Sequence, residues 1–276
     1  MTARPRLLAL DLDGTLLRRD GTVDPRDVEA IRRARHAGIH VTLATGRLVH
    51  GTLDTARTLA LEGSLVCGDG ATIVDAVTAE IRHAEPVDTR TTVGILETLR
   101  AHGAVAFVLC HGEVHADEEG RRFDRWVRIW SERVHYHVRL EQAGEWQREG
   151  AVAMTLGLGS ESVINAAHAT METRWSGHIH NTRFPFSDVH AVRTYRAGCS
   201  KGSALERVAT ELGVERAARV AVGDWYNDVS MFEWAGRSFA MGGAPESVRA
   251  AATDGLQAMA GTGGGVAEAI HKLLDV

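Results

Sequence analysis

The stretch that most constrains this chain lies near its start. Leu7-Leu8-Ala9-Leu10, an unbroken apolar run, opens directly into Asp11-Leu12-Asp13-Gly14-Thr15-Leu16. Four apolar residues without alternation read as a strand buried on both faces, as in a parallel sheet covered by helices. Two carboxylates two residues apart then stand where the strand gives way to a glycine-bearing loop. Ligands bind outside the carboxyl ends of strands in open α/β sheets, and two acids held together there repel unless a cation or a shared proton intervenes. The pattern fits a metal-assisted site in which one carboxylate attacks and the other moves protons. It also fits a strand followed by an acidic turn.

Beyond this loop, helices and strands alternate. Asp24-Pro25 supplies an N-cap and a first helical position, and Val28, Ile31 and Ala34 recur at helical spacing until Gly38 closes the helix. A strand over Ile39–Ala44 ends in Thr45-Gly46-Arg47, and a helix carries Leu48, Leu53, Ala56 and Leu59. Ser64–Cys67 then reads as a short strand that Gly68-Asp69-Gly70 turns into Thr72-Ile73-Val74. Strand, helix, strand, helix, strand is the order of a doubly wound, mostly parallel α/β sheet.

From about Arg82 the texture changes. A helix is expected over Thr89–Ala101, and strands over Val105–Cys110, at Val114-His115, over Val134–Leu140 and over Ala151–Leu158. Phe123, Trp126, Val127 and Trp130 mark one face of a further helix. A helix over Ser162–Met171 and an extended piece over Trp175–Thr182 follow, and a strand over Val189–Val192 leads back to the first texture. This mixture of hairpins and helices predicts an α+β domain over 83–188, inserted into a first domain made of 1–82 and 189–276. The first pattern resumes from Ser200. A helix with Leu205, Val208 and Leu212 leads to a buried strand at Val220-Ala221-Val222, which ends in Gly223-Asp224-Trp225-Tyr226-Asn227-Asp228. A helix from Val229, a strand over Ser238–Met241, a helix over Pro245–Ala252 and a closing helix with Val266, Ile270 and Leu273 come after it.

Composition narrows the function. With 276 residues there is room for two domains. A formal net charge of −5 gives no overall attraction to nucleic acid or anionic lipid. No apolar run approaches the ~18 residues of a membrane span, and the start of the chain does not read as a signal peptide. Cys67, Cys110 and Cys199 show no CxxC spacing, which argues against a disulfide framework or zinc site and for a cytoplasmic setting. Of 31 basic residues only Lys201 and Lys272 are lysines. An arginine-writing chain that keeps a compact ammonium beside Ser200 and Gly202 hints at a narrow site.

Asp11/Asp13, Thr45, Lys201, and Asp224 with Asn227 and Asp228 thus stand at strand ends or at a helix start. If the strands share one parallel sheet, the strand-end clusters meet on one rim. Carboxylates there make an oxygen-rich cavity suited to Mg²⁺, and a hydroxyl, an ammonium and main-chain N–H groups supply donors for an anion. That chemistry suits phosphoryl transfer.

Asp11-Leu12-Asp13-Gly14-Thr15-Leu16, Ala44-Thr45-Gly46-Arg47, Ser200-Lys201-Gly202 and Gly223-Asp224-Trp225-Tyr226-Asn227-Asp228 resemble, in order, the four motifs of the haloacid dehalogenase (HAD) superfamily. The insert after the Gly68–Val74 turn resembles the α/β cap of its Cof-type phosphatase branch. The resemblance implies a HAD-like Rossmannoid core and hydrolysis of a small phosphate ester. Asp11 would be the nucleophile that forms an aspartyl-phosphate, and Asp13 the acid and base. Mg²⁺ would be held by Asp11, the main-chain carbonyl of Asp13 and Asp224, with Asp228 assisting. Thr45, Gly46 and Lys201 would hold the phosphoryl group, and Asn227 would orient it. An acid at position 13 favours a phosphatase over a dehalogenase. Two departures stand out: Asp69-Gly70-Ala71 replaces the common Asn-Gly-Ala, and Gly242-Gly243-Ala244 replaces Gly-Asn-Ala. Both Asp69 and Arg47 are candidate substrate contacts, although Arg47 suits a surface ion pair as well. A phosphotransferase or mutase of the same fold, and a silent phospho-ligand-binding module, are the alternatives.

Other features carry plainer readings. His135/His137 and His178/His180 fall on one face each at strand spacing, which allows a metal site but shows no third ligand. Exposed strand histidines or substrate contacts fit the same spacing. Arg121, Arg122, Arg125 and Arg128 read as the solvated side of an amphipathic helix. Trp225 and Tyr226 fit packing at the rim of the site or against the inserted domain.

Overall fold

The computed structural model describes residues 4–186 and 188–274. It divides into two compact units, one running through Gly46, over Thr52–Arg82 and from Ser200 onward, the other comprising Arg47–Gly51 and His83–Cys199.

The first unit begins with β1 (Leu7–Leu10), α1 (Pro25–His36) and β2 (His40–Leu43), continues through α2 (Val49–Thr58), whose first turn belongs to the second unit, and then has β3 (Ser64–Cys67), β4 (Thr72–Asp75) and the first half of β5 (Ile81–Ala84), whose second half belongs to the second unit. The second unit carries α3 (Thr89–Ala101), β6 (Val105–Cys110), β7 (Val114–Asp117), α4 (Asp124–Val127), β8 (Val134–His137), β9 (Val152–Gly159), α5 (Glu161–Arg174), β10 (Ile179–Phe186) and β11 (Val189–Arg196). The chain then returns to the first unit with α6 (Lys201–Glu211), β12 (Arg219–Gly223), α7 (Val229–Trp234), β13 (Arg237–Gly242), α8 (Glu246–Ala251), β14 (Asp254–Met259) and α9 (Gly265–Leu274).

In the first unit a five-stranded sheet has the order β14-β13-β12-β1-β2, every pair parallel. The chain builds outward from β1 to β2 on one side, then from β12 to β14 on the other. The order therefore reverses between β1 and β12, and the crevice at their carboxyl ends is the switch point at which such sheets hold ligands. Leu7, Leu8, Ala9 and Leu10 are all fully buried, as an apolar run without alternation requires. Leu205, Val208, Met231 and Phe232 from α6 and α7 pack on one face.

Local signals explain the helix starts. Asp24 caps α1 by accepting from Arg26 N at 2.8 Å, with proline at the first position. Ser200 and Ser203 form a reciprocal capping box at the start of α6, which fixes where Lys201 leaves the backbone. Asp27, fully buried within α1, accepts from Gly264 N at 2.8 Å and Ala267 N at 2.7 Å. One helix thereby satisfies the otherwise unpaired N–H groups that open another.

The second unit is a six-stranded sheet, β10-β11-β9-β6-β7-β8, antiparallel except for the β7–β8 pair. Its core gathers Ile95, Leu99, Val108, Ile164 and the fully buried Trp146, whose Nε1 donates to the Leu140 carbonyl at 2.8 Å.

Several expectations change. β11 pairs antiparallel with both β9 and β10, so the segment from Val189 belongs to the inserted unit, which ends at Cys199 rather than at residue 188. Its apolar run gave no sign of which sheet it would join. β3 pairs antiparallel with β4 and touches the end of β2 through a single Ala44–Val66 bridge, so it closes a separate three-stranded sheet with β4 and β5. The expected helix around Phe123–Trp130 is a 3-10 stretch over Glu118–Phe123 followed by one turn, α4; Phe123, Val127 and Trp130 are buried all the same. The strand expected through Leu140 ends at His137, and Val138 is exposed. β5 and β14 had no expectation at all. Among the described residues, no helix is long and apolar enough to cross a membrane.

Candidate active site

Asp11 is the first residue past β1, with its N–H held by the Val222 carbonyl of β12 at 3.0 Å. Asp224 is the first residue past β12. Parallel pairing of these two strands in register, Leu10 opposite Val222, therefore delivers both carboxylates to the switch point. The loop after Asp11 turns tightly, with the Leu12 carbonyl accepting from Leu16 N at 3.1 Å and Leu17 N at 2.8 Å. Gly14 sits at φ +92°, and a Cβ there would run into the Asp224 carboxylate. Only glycine meets both demands. Thr15 Oγ1 then donates to Asp224 Oδ1 at 3.0 Å.

Lys201 rises from the first turn of α6 into this group. Its ammonium donates to Asp11 Oδ1 and to Asp228 Oδ1, each at 2.6 Å, and the side chain is wholly buried. The second oxygen of Asp228 accepts from Asp224 N at 2.8 Å and Trp225 N at 2.9 Å, so this carboxylate shapes the loop after β12. Gly202, next to Lys201, approaches the α7 backbone so closely that a Cβ would strike the Ser230 carbonyl.

Asp69 lies in the turn between β3 and β4 in the left-handed region, at φ 52° and ψ 29°. Its N–H donates to the Thr45 carbonyl at 2.9 Å, and its Oδ1 accepts from Asn227 Nδ2 at 2.7 Å. Asp69 thus ties the end of β2 to the loop after β12. Thr45 is fully buried and Gly46 half-buried at that end of β2, while Asp13 is exposed in the loop after β1.

The electrostatics are one-sided. Asp11, Asp69, Asp224 and Asp228 are each at most 7% exposed and share one ammonium. Burial, then the Asp228 carboxylate, pushes Asp11 well above the usual carboxylate range, against the pull of Lys201. Burial and Asp228 likewise push Asp224 up to about 7. Burial pulls on Lys201 in the opposite sense, yet Asp11, Asp228 and Asp69 outweigh it and hold the ammonium above its ordinary value. Carboxylates that resist ionisation at such close quarters are stabilised in their charged forms by added positive charge. One oxygen each from Asp11, Asp224 and Asp228 lie within 4.8 Å of one another. An all-oxygen, buried donor set fits a hard divalent cation of the Mg²⁺ kind.

The structure therefore brings Asp11, Lys201, Asp224 and Asp228 together, with Asn227, Asp69 and Thr45 linked beside them. Arg47 falls in the second unit: Leu48 N donates to the Trp130 carbonyl and Val49 N to the His111 carbonyl, so the chain after Gly46 is drawn into that unit's packing. Trp225 and Tyr226 are 43% and 52% exposed and meet edge to face at 5.1 Å. Sequence reasoning gave no role to Thr15, which orients Asp224, or to Ser230, whose Oγ accepts from Gly202 N at 3.2 Å. The place of Thr15 within the first motif was the available signal; Ser230 had none.

The family model described as haloacid dehalogenase-like hydrolase matches residues 8–270. The chain is 28% identical over 265 residues to the pyridoxal phosphate phosphatase YbhA of Escherichia coli K12, covering 90% of this chain and 91% of that protein. It is 26% identical over 272 residues to the 5-amino-6-(5-phospho-D-ribitylamino)uracil phosphatase YitU of Bacillus subtilis 168, covering 90% and 91%. A solved haloacid dehalogenase-like hydrolase from Bacteroides thetaiotaomicron shares the fold, with a TM-score of 0.84 at 23% identity over 98% of this chain and 100% of that one. Matched along nearly its whole length, the chain belongs to the haloacid dehalogenase-like hydrolase family, as one of its phosphatases of phosphate monoesters.

Proposed function

We propose that this protein is a Mg²⁺-dependent phosphomonoesterase that hydrolyses a small phosphorylated metabolite, a sugar phosphate or a phosphorylated cofactor-like compound, through an aspartyl-phosphate. The observation that carries this reading is the meeting of Asp11, Lys201, Asp224 and Asp228 at the point where strand order reverses. In this reading Asp11 attacks phosphorus, and the P–O bond to the leaving group breaks as the Asp11–phosphorus bond forms. Asp13, exposed in the adjoining loop, gives its proton to the leaving oxygen and then takes one from the water that hydrolyses the intermediate. Lys201 aligns Asp11 before attack and, with Thr45 and the main chain at Gly46, binds the phosphoryl oxygens. Asn227 is oriented by its bond to Asp69.

Asp11, Asp224 and the main-chain carbonyl of Asp13 would hold Mg²⁺, with Asp228 assisting. The ion supplies neutralisation of the phosphoryl charge as it transfers. The two relatives named above act on pyridoxal phosphate and on a phosphorylated ribitylaminouracil, which supports a compact phosphorylated metabolite here too. We assign catalysis to the first unit and selection of the leaving group to the second, acting as a cap, in a cytoplasmic setting.

The test is phosphate release from p-nitrophenyl phosphate, followed by a panel of sugar phosphates, nucleotides and phosphorylated cofactors. Turnover should need Mg²⁺ and vanish in Asp11→Asn. Activity that survives Asp11→Asn overturns the mechanism, and transfer of the phosphoryl group to an added alcohol in preference to water replaces hydrolase by phosphotransferase.

A further inference from the structure

Three consecutive residues of the turn after β3 lie in the left-handed region, Gly68 at φ 57°, Asp69 at 52° and Gly70 at 105°. Glycine adopts that conformation freely, whereas aspartate meets a steric cost there. The one side chain in the turn is thus the one that strains it, and it is an acid only 5% exposed. Strain of this kind persists where the surroundings over-determine it. Here they do. Asp69 N donates to the Thr45 carbonyl at 2.9 Å, and Thr45 N donates to the Val66 carbonyl at 3.0 Å. A Cβ on Gly70 would strike the Ser200 carbonyl, immediately before Lys201. The turn is therefore seated between the end of β2 and the start of α6, next to Thr45 and Lys201. From that seat Asp69 Oδ1 accepts from Asn227 Nδ2 at 2.7 Å, and the carboxylate charge also acts on the Lys201 ammonium.

We propose that Asp69 is a positioning residue of the phosphoryl site rather than a substrate contact: its carboxylate fixes which way the Asn227 amide points, so that Asn227 meets the phosphoryl group as a donor, through its second N–H. This rests on the phosphatase reading above.

The reason is polarity. An ionised carboxylate offers acceptors alone, so Asn227 can face Asp69 only with its nitrogen. The amide is planar. Pinning one N–H therefore fixes the direction of the other and turns Oδ1 away from Asp69. An asparagine at position 69 would offer a donor and an acceptor, and Asn227 could then pair with it through either end. A phosphoryl group presents negatively charged oxygens, which an N–H stabilises and a carbonyl oxygen repels. The acid in Asp69-Gly70-Ala71, where Asn-Gly-Ala is common, thus changes a hydrogen bond with two directions into one with a single direction. A buried carboxylate engaged with Asn227 is also poorly placed to select a leaving group.

The experiment starts from Asp69→Asn, which keeps the side-chain size, tolerates left-handed backbone and changes the polarity. Over the panel of phosphate esters it should lower kcat by up to about 100-fold, by one common factor and with KM little changed. An unchanged kcat overturns the proposal, and so does a factor that differs from ester to ester, which would make Asp69 a substrate contact. The exchanged pair, Asp69→Asn with Asn227→Asp, restores a donor–acceptor bond of reversed direction. It should recover the parent's midpoint in urea but not its kcat, because position 227 then has no N–H to give; recovered kcat overturns the proposal. A readout free of turnover is the Asn227 side-chain amide in nitrogen-edited NMR. One of its two protons should be shifted and protected from solvent exchange, and Asp69→Gly, which suits the left-handed backbone, should remove both signatures. Signals unchanged in Asp69→Gly overturn the proposal. If the native protein releases no phosphate, the phosphatase reading falls, and the Asn227 resonances still decide whether Asp69 sets the amide.

Discussion

The Lys201 ammonium lies 2.6 Å from Asp11 Oδ1, in a place where both side chains are almost wholly withdrawn from water. Lys201 reaches Asp228 at the same distance, so one ammonium offsets two buried carboxylates. Removing one partner of a buried pair leaves the other desolvated and unpaired, which costs about 3–5 kcal/mol. Lys201→Met should destabilise the metal-free protein by about that much in urea unfolding, besides losing phosphatase activity. Lys201→Arg should recover little of either, because a planar guanidinium does not fit where a compact ammonium sits between two acids. A Lys201→Met protein as stable as the parent would show that the acids are already neutral.

The same crowding predicts stabilisation by divalent cation. A ligand that binds only the folded chain adds about 2.7 kcal/mol at a hundredfold excess over its Kd. Mg²⁺ should raise the Tm of the native protein and EDTA should reverse the shift, while Asp224→Asn should abolish it. A Tm unmoved by millimolar Mg²⁺ would remove the cation from the Asp11–Asp224–Asp228 cluster.

Asp27 offers a stability test at a carboxylate outside the acidic cluster. Its two oxygens accept from Gly264 N and Ala267 N, at the start of α9. Asp27→Ala leaves those N–H groups without their partner and should cost about 1–3 kcal/mol in chemical denaturation. Phosphatase kcat at low temperature should be unchanged. An unchanged denaturation midpoint would show that water replaces the carboxylate at no cost.

Acid stability depends on Asp24. Hydrogen bonds from the Arg26 side chain and then its main-chain N–H hold its carboxyl down to about 2, whereas an unfolded aspartate titrates near ~3.9. The folded value is the lower one. Its stabilisation is therefore complete above the unfolded value and is lost as pH falls towards 2. The stability gap between the native protein and Asp24→Asn should be widest near neutrality and narrow between about pH 4 and 2. A gap constant across that range would show that the charge contributes nothing.

What the sequence determined by itself is the local and the periodic. Leu7–Leu10 without alternation, the Asp24 and Ser200 helix starts, and the polar groups placed just past apolar runs depend on neighbours within a few residues, so the chain displays them directly. The order of the four motifs led to the family for the same reason. Tertiary structure decided what depends on pairing. β11 could have joined either sheet, because an apolar run does not state its register partner. Only packing put Asp27 of α1 under α9, or drew Arg47 into the second unit. That Lys201 bridges Asp11 and Asp228 results from strand order and from a helix start on another element. These contacts join residues up to 190 positions apart, and they exist only once burial has forced distant segments to share the same water-free space.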